Sequence, residues 1–306
     1  MTRIAYLGPS GTFTEEALLT QPDLASTELV PMRTMPDVLQ AVADGHVELG
    51  FLPIENAIEG TVNLTLDGLI FDHDFMIQRE VILPIHLHLA APAGSSLVDI
   101  KRVHSFPVAL AQSRLYLHDN LPDAQQVGAS STAEAARAVA EAANIGDAAI
   151  CPALAAEQYG LTILASDIED HAENCTRFLL LARHGIPAAT GHDKTVVVCY
   201  QTEDRPGSLQ GMLAEFSARG INLTKLESRT TKQALGSYCF IIELEGHIDE
   251  DVVADALMSV RSAQADVKFL GSFPAASPNA PTVRRDARAR WRDAHDWLDQ
   301  LRSQIR

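Results

Sequence analysis

The sequence predicts two α/β domains in a row: a two-lobed domain over residues 1–190 and a smaller ferredoxin-like domain over residues 194–273. Two patterns lead to this prediction. Strand–loop–helix units recur through the first part of the chain, which is typical of a largely parallel sheet covered by helices. After a break at 184–194, rich in Gly, Pro and Ala, the order changes to βαββαβ. A final segment, 282–306, has the spacing of an amphipathic helix.

Composition limits the kinds of protein that this chain can be. With 306 residues, 46% of them hydrophobic and 21% charged, the chain can bury a core and is neither disordered nor membrane-spanning. Its formal net charge of −16 argues against nucleic-acid binding. The N-terminal stretch has the pattern of a strand rather than a signal peptide, so we expect a cytoplasmic protein. An anionic ligand would need local hydrogen-bond donors and arginine to overcome this charge.

The first lobe begins with alternating strands and helices. In chain order we predict a strand at 3–7, a helix opened by a capping box at 12–15, a strand at 28–32, a helix at 35–45, a strand at 49–54 and a helix at 60–71. Short loops separate these elements, as in other α/β units.

The second lobe lies between two predicted crossings of the chain. A strand at 76–92 leads out, and a strand at 176–183 returns. Between them we predict strands at 103–106 and 147–152 and helices at 107–120 and 132–143. The lobes would be 1–75 with 180–190, and 76–179. Two crossings beside a cleft are typical of a type II periplasmic-binding-protein-like domain, in which the loops at strand ends face the ligand.

The second domain has the order of a ferredoxin-like fold. Strands are predicted at 194–202, 222–231, 237–246 and 266–273, and helices at 206–220 and 249–263. Arginine and aspartate alternate along 282–306, which favours a docked amphipathic helix over an RNA-binding segment.

No motif for a metal or a cofactor is evident. No GxGxxG follows the first strand, and no P-loop is present. His86 and His88 lie two residues apart on one predicted strand, but no third ligand is evident, so we expect a solvated strand face there. The four cysteines are widely spaced, and buried thiols are expected: Cys151, Cys175, Cys199 and Cys239. Cys175 differs because it lies in a polar cluster, where a nucleophile would need a base such as His171.

Polar side chains stand next to several predicted elements, at positions that would face the cleft. They are Ser10 and Thr12; Glu55, Asn56 and Thr61; Ser105 and Gln112; Ser131 and Thr132; and Thr176 and Arg177. Free N–H groups at helix starts favour a carboxylate or phosphate, although each Ser or Thr is also explained as a helix cap. Arg177 fits a clamp for a substrate carboxylate or a structural partner for an acid, and Glu55 fits an ion pair between the lobes.

Five segments of the first domain resemble the motif series of the prephenate dehydratase family. They are GPSGTFTEEA (8–17), LPIENAIEGTVNLTLDGL (52–69), HSFPVALAQ (104–112), STAEAA (131–136) and NCTRFLLL (174–181). The second domain, with DRPGSLQGMLAEFSARGINLTKLESR (204–229), resembles the ACT regulatory domain of that enzyme. The resemblance covers nearly the whole chain, in order, and is greatest to monofunctional actinobacterial enzymes.

The resemblance implies conversion of prephenate to phenylpyruvate, with loss of carbon dioxide and water and without a cofactor or metal. It implies that Thr176 lies at the departing hydroxyl as acid or hydrogen-bond donor. The other catalytic positions implied are Glu55, Asn56, Ser105 and Gln112. A Glu55 kept protonated by desolvation is the alternative proton source. Substrate contacts are implied for Ser10, Thr12, Thr61, Ser131, Arg177 and Phe178, with Phe178 either supporting the ring or packing behind Thr176.

The resemblance further implies inhibition by L-phenylalanine and a homodimer or homotetramer, because ACT domains bind amino acids between paired domains. The effector pocket would include Gly207, Ser208, Leu209, Asn222, Leu223, Glu227 and Ser228. Two positions depart from the family's usual pattern: Phe106 replaces a histidine, and Thr230 replaces a proline. A domain that only dimerises the enzyme is the alternative.

Two other functions are compatible with these patterns. Arogenate dehydratase shares the motifs and acts on a substrate with an amino group in place of the side-chain ketone. A non-enzymatic amino-acid sensor would close on its ligand without forming a product. A comparison of the turnover of prephenate and arogenate separates the two enzymes, and formation of phenylpyruvate from prephenate excludes the sensor.

Overall fold

The computed structural model describes residues 2–201, 206–232, 237–276, 293, 296–297 and 299–304. Most of the predicted helix at 282–306 lies outside the described residues, and the described residues 293, 296–297 and 299–302 are helical. Within the described part of the chain, no helix has the length and apolar character needed to cross a membrane. Contacts divide the chain into two units, Met1–Gly68 with Val81–Leu180, and Leu69–Glu80 with Leu181–Arg306.

The strands of the described residues, in chain order, are β1 (Arg3–Leu7), β2 (Glu28–Met32), β3 (Leu49–Asn56), β4 (Gly60–Thr61), β5 (Met76–Pro84), β6 (His88–Ala91), β7 (Arg102–Ser105), β8 (Gln125–Gly128), β9 (Asp147–Cys151), β10 (Thr162–Ala165), β11 (Cys175–Ala182), β12 (Asp193–Gln201), β13 (Leu223–Thr230), β14 (Tyr238–Glu245) and β15 (Ala265–Pro274). The helices are α1 (Phe13–Leu19), α2 (Pro22–Ala25), α3 (Met35–Ala43), α4 (Asn63–Asp67), α5 (Pro107–Gln112), α6 (Arg114–Asn120), α7 (Thr132–Ala142), α8 (Ala153–Gln158), α9 (Ser208–Ser217) and α10 (Asp251–Ala263). A π-helical turn follows α4 at Gly68–Asp72, and a 3-10 turn lies at Leu97–Asp99.

The first sheet has the strand order β2-β1-β3-β11-β5, with β4 paired to β3. β1 runs parallel to both β2 and β3, as predicted for an α/β lobe. Gly50 allows α3 to approach β3 closely, because a Cβ atom there would lie 2.9 Å from Val42 Cγ2. The order places the carboxyl end of β3 beside the first residues of β11, which bear the polar motif.

The second sheet has the order β10-β6-β9-β7-β8, in which β7 runs parallel to β8 and β9. The two-sheet α/β arrangement agrees with the predicted two-lobed fold. The predicted lobe boundaries need correction, because both β5 and β11 belong to the first sheet. The chain therefore passes between the sheets at 85–87 and at 166–174 rather than at the strands themselves.

Three predicted elements of this unit are interrupted. The strand predicted at 76–92 ends at Pro84 and resumes at His88, since a proline cannot donate to a sheet. The segment 60–71 begins as the short strand β4, so its helix starts at Asn63 rather than at Thr61. The helix predicted at 107–120 divides at the buried Ser113. His88 is buried, which contradicts the expected solvated strand face.

The second unit contains the sheet β13-β14-β12-β15, whose neighbouring strands are all antiparallel. With α9 and α10 this is the predicted βαββαβ order. Apolar side chains of the helices and of the sheet form one core, including Val197, Phe216, Ile242 and Leu257.

Residues 69–80, which belong to this second unit, contact the strands of its sheet through polar groups. Lys268 Nζ donates to the carbonyl oxygens of Ile70 at 3.2 Å and His73 at 2.8 Å, and it pairs with Asp74 at 2.9 Å. Tyr200 donates its hydroxyl proton to Ile70 O at 2.8 Å. This segment continues along the chain into β5 of the first sheet.

Candidate active site

Asn56 is the centre of a network of amide side chains in the first unit. It is the last residue of β3, and its Nδ2 atom faces Thr176 Oγ1 on the neighbouring β11 at 3.0 Å. The same Nδ2 also lies 2.9 Å from Asn174 Oδ1 and 3.2 Å from the carbonyl oxygen of Cys175. Adjacent strands therefore bring together two residues that are 120 positions apart in the chain.

The direction of these hydrogen bonds is fixed by the backbone. Asn56 Oδ1 accepts from the N–H groups of Ile58 at 2.9 Å and Glu59 at 3.0 Å. A backbone N–H can only donate, so the oxygen of Asn56 must face this loop and its NH₂ group must face Thr176. Thr176 Oγ1 therefore accepts from Asn56. Its own hydroxyl proton can then be given to another acceptor.

The network continues to the second lobe through Gln112 on α5. Asn174 Nδ2 donates to Gln112 Oε1 at 3.0 Å, and Gln112 Nε2 donates to Glu59 Oε1 at 3.3 Å. Asn174 and Gln112 are buried, which makes each of these bonds costly to lose. The hydrogen bonds thus all run in one donor-to-acceptor direction. They lead from the backbone N–H groups after β3 through the side-chain amides of Asn56, Asn174 and Gln112 to the Glu59 carboxylate.

Glu55 and Arg177 form an ion pair next to this network. Glu55 Oε2 lies 3.7 Å from Arg177 Nη1, with 36% of the Glu55 side chain and 13% of the Arg177 side chain exposed. The pair joins the adjacent strands β3 and β11 of one sheet, whereas the structural alternative suggested by the sequence was an ion pair between the lobes. Thr61 is the register partner of Glu55 in the β3–β4 pair and does not begin a helix.

Ser10 and Thr12 are engaged in the turn that precedes α1. Tyr6 donates to Glu15 Oε1 at 3.1 Å, so Ser10 Oγ, 3.2 Å from the same hydroxyl, is the donor to Tyr6. Burial raises the pKa of Tyr6, which keeps its hydroxyl protonated. Thr12 caps α1 and donates to Leu7 O at 3.1 Å. Both side chains stabilise this turn in the structure, and a role in substrate binding remains a prediction.

Three other predicted site residues also have structural contacts. Ser105 is fully buried and donates to Ile150 O at 2.7 Å across the second sheet. Ser131 accepts from Glu134 N at 3.0 Å and caps α7. Phe178 is 1% exposed and stacks on Phe51, with ring centroids 5.3 Å apart. Phe178 thus packs in the core of the first unit, and its role towards the substrate ring or Thr176 stays a prediction.

Two residues of the network were missing from the predicted site. Asn174 is adjacent to the Thr176 motif, and Glu59 lies three residues after Asn56. The signal for Asn174 was its place beside two predicted site residues, Thr176 and Arg177. Glu59 had no local signal, because its contact with Gln112 depends on the tertiary fold.

The second unit contains a cavity of about 940 Å³ between α9 and the sheet. Four of the seven predicted effector residues line it, and they are Gly207, Ser208, Leu209 and Leu223. Asn222, Glu227 and Ser228 are not among its lining residues. Glu227 instead lies 3.6 Å from Lys225 Nζ and 3.8 Å from Arg229 Nη1, its neighbours on alternate positions of β13.

The fold and the network define an α/β enzyme with a polar site between two lobes, followed by a ferredoxin-like regulatory domain. A model of the prephenate dehydratase family matches residues 4–186, and a model of the ACT domain matches residues 195–262. The chain belongs to the prephenate dehydratase family and contains an ACT domain. The family expected from the sequence is therefore confirmed.

Individual relatives agree with this assignment over almost the entire chain. A prephenate dehydratase from Amycolatopsis methanolica is 43% identical over 301 residues, which are 97% of this chain and 97% of the relative. The crystal structure of a prephenate dehydratase from Arthrobacter aurescens in complex with L-Phe is 40% identical, with a TM-score of 0.89, and covers 99% of this chain and 100% of its own. GqqA, a quorum-quenching acylase, is 30% identical with a TM-score of 0.80, over 90% of this chain and 98% of its own.

Proposed function

We propose that this chain converts prephenate to phenylpyruvate and that L-phenylalanine inhibits it through the ACT domain. Family membership supports the reaction, and the polarity of the Asn56–Thr176 hydrogen bond is the observation on which the mechanism rests. The Arthrobacter aurescens relative, solved with L-Phe bound, supports the choice of effector.

The reaction breaks two bonds of the substrate ring. The ring carboxylate leaves as carbon dioxide, the electron pair of its C–C bond enters the ring, and the ring hydroxyl is expelled. That hydroxyl takes up one proton and leaves as water, so the reaction consumes one proton overall. The gain in aromaticity drives the reaction, and the protein needs to orient the ring and assist departure of the hydroxyl.

In our mechanism Thr176 assists the departing hydroxyl. Since Thr176 Oγ1 accepts from Asn56, its O–H can donate to the leaving oxygen. Negative charge that develops there is stabilised by this hydrogen bond, and Asn56 Nδ2 polarises the threonine from behind. Asn174 and Gln112 hold the amide of Asn56 in the required orientation.

Arg177 binds a carboxylate of the substrate in this mechanism, and Glu55 orients it. The guanidinium is the kind of group that recognises a carboxylate with two parallel hydrogen bonds. The Glu55 carboxylate, with Oε2 3.7 Å from Arg177 Nη1, is close enough to orient the guanidinium. In this mechanism Thr176 donates a hydrogen bond to the departing oxygen and keeps its own proton, solvent supplies the proton that completes the water molecule, and Glu55 serves as the partner of Arg177.

Acyl hydrolysis, the activity named for GqqA, fits this site poorly. A hydroxyl nucleophile needs an adjacent base that accepts its proton. Within the described residues, Thr176 Oγ1 accepts a hydrogen bond from the NH₂ group of Asn56, which is a donor and not a base.

The ACT domain supports regulation and self-association. β13 is an edge strand, the kind of strand with which a second copy can pair, and Leu226 and Tyr238 beside the 940 Å³ cavity are 46% and 42% exposed. We infer a homodimer or homotetramer paired through this domain, located in the cytoplasm. Light scattering with and without L-phenylalanine measures the assembly.

The decisive experiment incubates the purified chain with prephenate or arogenate at neutral pH and follows phenylpyruvate and phenylalanine. We expect phenylpyruvate from prephenate, slow or no conversion of arogenate, and loss of rate on addition of L-phenylalanine. A heat-denatured sample corrects for the spontaneous reaction. Faster turnover of arogenate would assign that substrate, and ligand binding without any product would identify a sensor.

A further inference from the structure

A cluster of three side chains lies where the chain passes between the two sheets of the first unit. His86 is on the outgoing segment 85–87, and Asp167 and Glu169 are on the returning segment 166–174. His86 Nδ1 lies 3.2 Å from Asp167 Oδ1 and 3.2 Å from Glu169 Oε1. One ligand atom from each of the three residues lies within 4.8 Å of the other two. Of the two histidines noted in the sequence, His86 belongs to this cluster and His88 does not, and the sequence pattern did not indicate the two carboxyl groups.

The surrounding contacts hold the Glu169 carboxylate and the backbone of Asp167 in place, while the side chains of His86 and Asp167 are 53% and 63% exposed. Glu169 is 3% exposed, and its second oxygen accepts from Leu87 N at 2.8 Å, which leaves Oε1 directed at His86. The N–H of Asp167 lies 3.4 Å from His88 Nδ1, and Asp167 has a left-handed backbone with φ of 54°. Such outer contacts orient ligands in established metal sites.

Hydrogen bonding alone explains this cluster poorly. The Nδ1 atom of an imidazole carries at most one proton, and two carboxylate oxygens lie at the same distance from that atom of His86. Both distances exceed the ~2.7–2.9 Å of a charge-assisted hydrogen bond. Glu16 adds a third carboxyl group to the surroundings of His86. Around His86 Nδ1 there are therefore more hydrogen-bond acceptors than protons. A bound cation would balance the charge of the carboxylates.

We propose that His86, Asp167 and Glu169 form a binding site for a divalent transition-metal ion, of which Zn²⁺ fits the donors best. Ligand atoms about 2.0–2.1 Å from a tetrahedral zinc are about 3.3 Å apart, close to the two 3.2 Å distances here. One imidazole and two carboxylates leave a fourth position for water. Mg²⁺ and Ca²⁺ prefer oxygen ligands throughout, so the imidazole disfavours them.

The ion would join the two segments that connect the sheets. Those segments already share hydrogen bonds from Ile168 N to Leu87 O at 2.9 Å and from Leu87 N to Glu169 Oε2 at 2.8 Å, and a metal would add a further link between them. The role is structural or regulatory, because none of the three residues belongs to the Asn56–Thr176 network. No step of the proposed reaction passes through the metal.

The test is Zn²⁺ binding by the full-length chain after treatment with a chelator and its removal. Calorimetry is expected to give one Zn²⁺ per chain with a micromolar dissociation constant, and Co²⁺ is expected to give the visible absorption of a four-coordinate ion. His86→Ala and Asp167→Asn should each weaken Zn²⁺ binding at least tenfold. Asn tolerates the left-handed backbone at 167, so this variant keeps the fold even if the other fails.

His118→Ala is the matched control, because His118 is an exposed histidine 2.9 Å from a carboxylate, that of Asp119. This variant should bind Zn²⁺ as the wild type does. Zn²⁺ should also raise the melting temperature of the wild type and of this control, and not that of Asp167→Asn. The proposal is overturned if the wild type shows no saturable binding at one ion per chain, or if Asp167→Asn retains it.

Discussion

Asn56 Nδ2 donates to Thr176 Oγ1 across 3.0 Å, and this single hydrogen bond sets which way the threonine hydroxyl can act. The amide cannot turn over without placing its NH₂ group against the backbone N–H groups of Ile58 and Glu59. The loop after β3 thus determines that the Thr176 hydroxyl on β11 accepts from Asn56 and keeps its own proton for another acceptor. The Thr176 hydroxyl is a weak acid. Its proposed role depends on neighbouring groups that direct its O–H, and not on a high acidity of its own.

Removal of the hydroxyl of Thr176 tests whether it donates to the leaving group. Thr176→Val keeps the shape of the side chain and should lower kcat for phenylpyruvate formation at least ~10²-fold, the lower end for general acid catalysis. Thr176→Ser keeps the hydroxyl and should retain most of the rate. Circular dichroism confirms the fold of each variant. A valine variant with nearly unchanged kcat would rule out the role.

Reversal of the polarity at Asn56 is a more specific test. In Asn56→Asp one carboxylate oxygen still accepts from the loop after β3, but the other can only accept from Thr176. The threonine proton is then drawn away from the substrate, so kcat should fall by at least ~10-fold while the protein stays folded. The measurement is kcat for prephenate beside the melting temperature. Asn56→Gln keeps an NH₂ donor but places it on a longer side chain. Comparison of the two variants therefore helps to separate the effect of hydrogen-bond direction from the effect of donor position.

The Glu55–Arg177 pair allows binding to be separated from stability. Arg177→Lys keeps the positive charge and loses the planar fork, so KM for prephenate should rise severalfold with a smaller change in kcat. Glu55→Gln should also raise KM, because it removes the partner 3.7 Å from the guanidinium. A drop in melting temperature with KM unchanged would assign Arg177 a purely structural role. If Glu55 were the proton source, Glu55→Gln would abolish turnover instead.

Phe178 is expected to matter for stability rather than for substrate binding. Phe178→Leu loses a stacked ring pair worth about 0.5–1.5 kcal/mol beyond its buried area, in addition to a small cavity. Chemical denaturation should show this loss while KM for prephenate changes little. Phe106→Leu is the control, since Phe106 is 41% exposed and its replacement should leave stability unchanged. A raised KM with unchanged stability for Phe178→Leu would instead place the ring against the substrate.

The sequence predicted the elements whose patterns are local. Strands at 3–7 and 28–32 were placed at their observed bounds, because each is a short, mostly apolar run followed within a few residues by a turn or a helix cap. The break at Pro84 was missed because the apolar pattern continues on both sides of it. His88 was assigned to a solvated face for the same reason: alternation identifies a face of a strand but not what packs against it.

The candidate site was predicted as a set of residues but not as a network. Motif resemblance selected Asn56, Gln112 and Thr176, which the structure brings together through Asn174. The direction of each hydrogen bond could not be predicted, because it depends on backbone N–H groups at the end of β3. Ser105 was selected as catalytic, although its hydroxyl donates to Ile150 O across the second sheet. A polar residue at a strand end has the same sequence pattern in either role.

Lys268 provides a test of how the ACT domain influences catalysis. Its ammonium group binds the backbone at Ile70 and His73, in the segment that continues into β5 of the first sheet. Lys268→Met should leave kcat without effector within about twofold and should weaken inhibition by L-phenylalanine severalfold, within the usual coupling range of ~1–3 kcal/mol. Arg137→Met, which breaks a 2.7 Å ion pair with Glu134 on α7, should change neither quantity. Equal inhibition of the Lys268 variant and the wild type would show that the effector acts by another route.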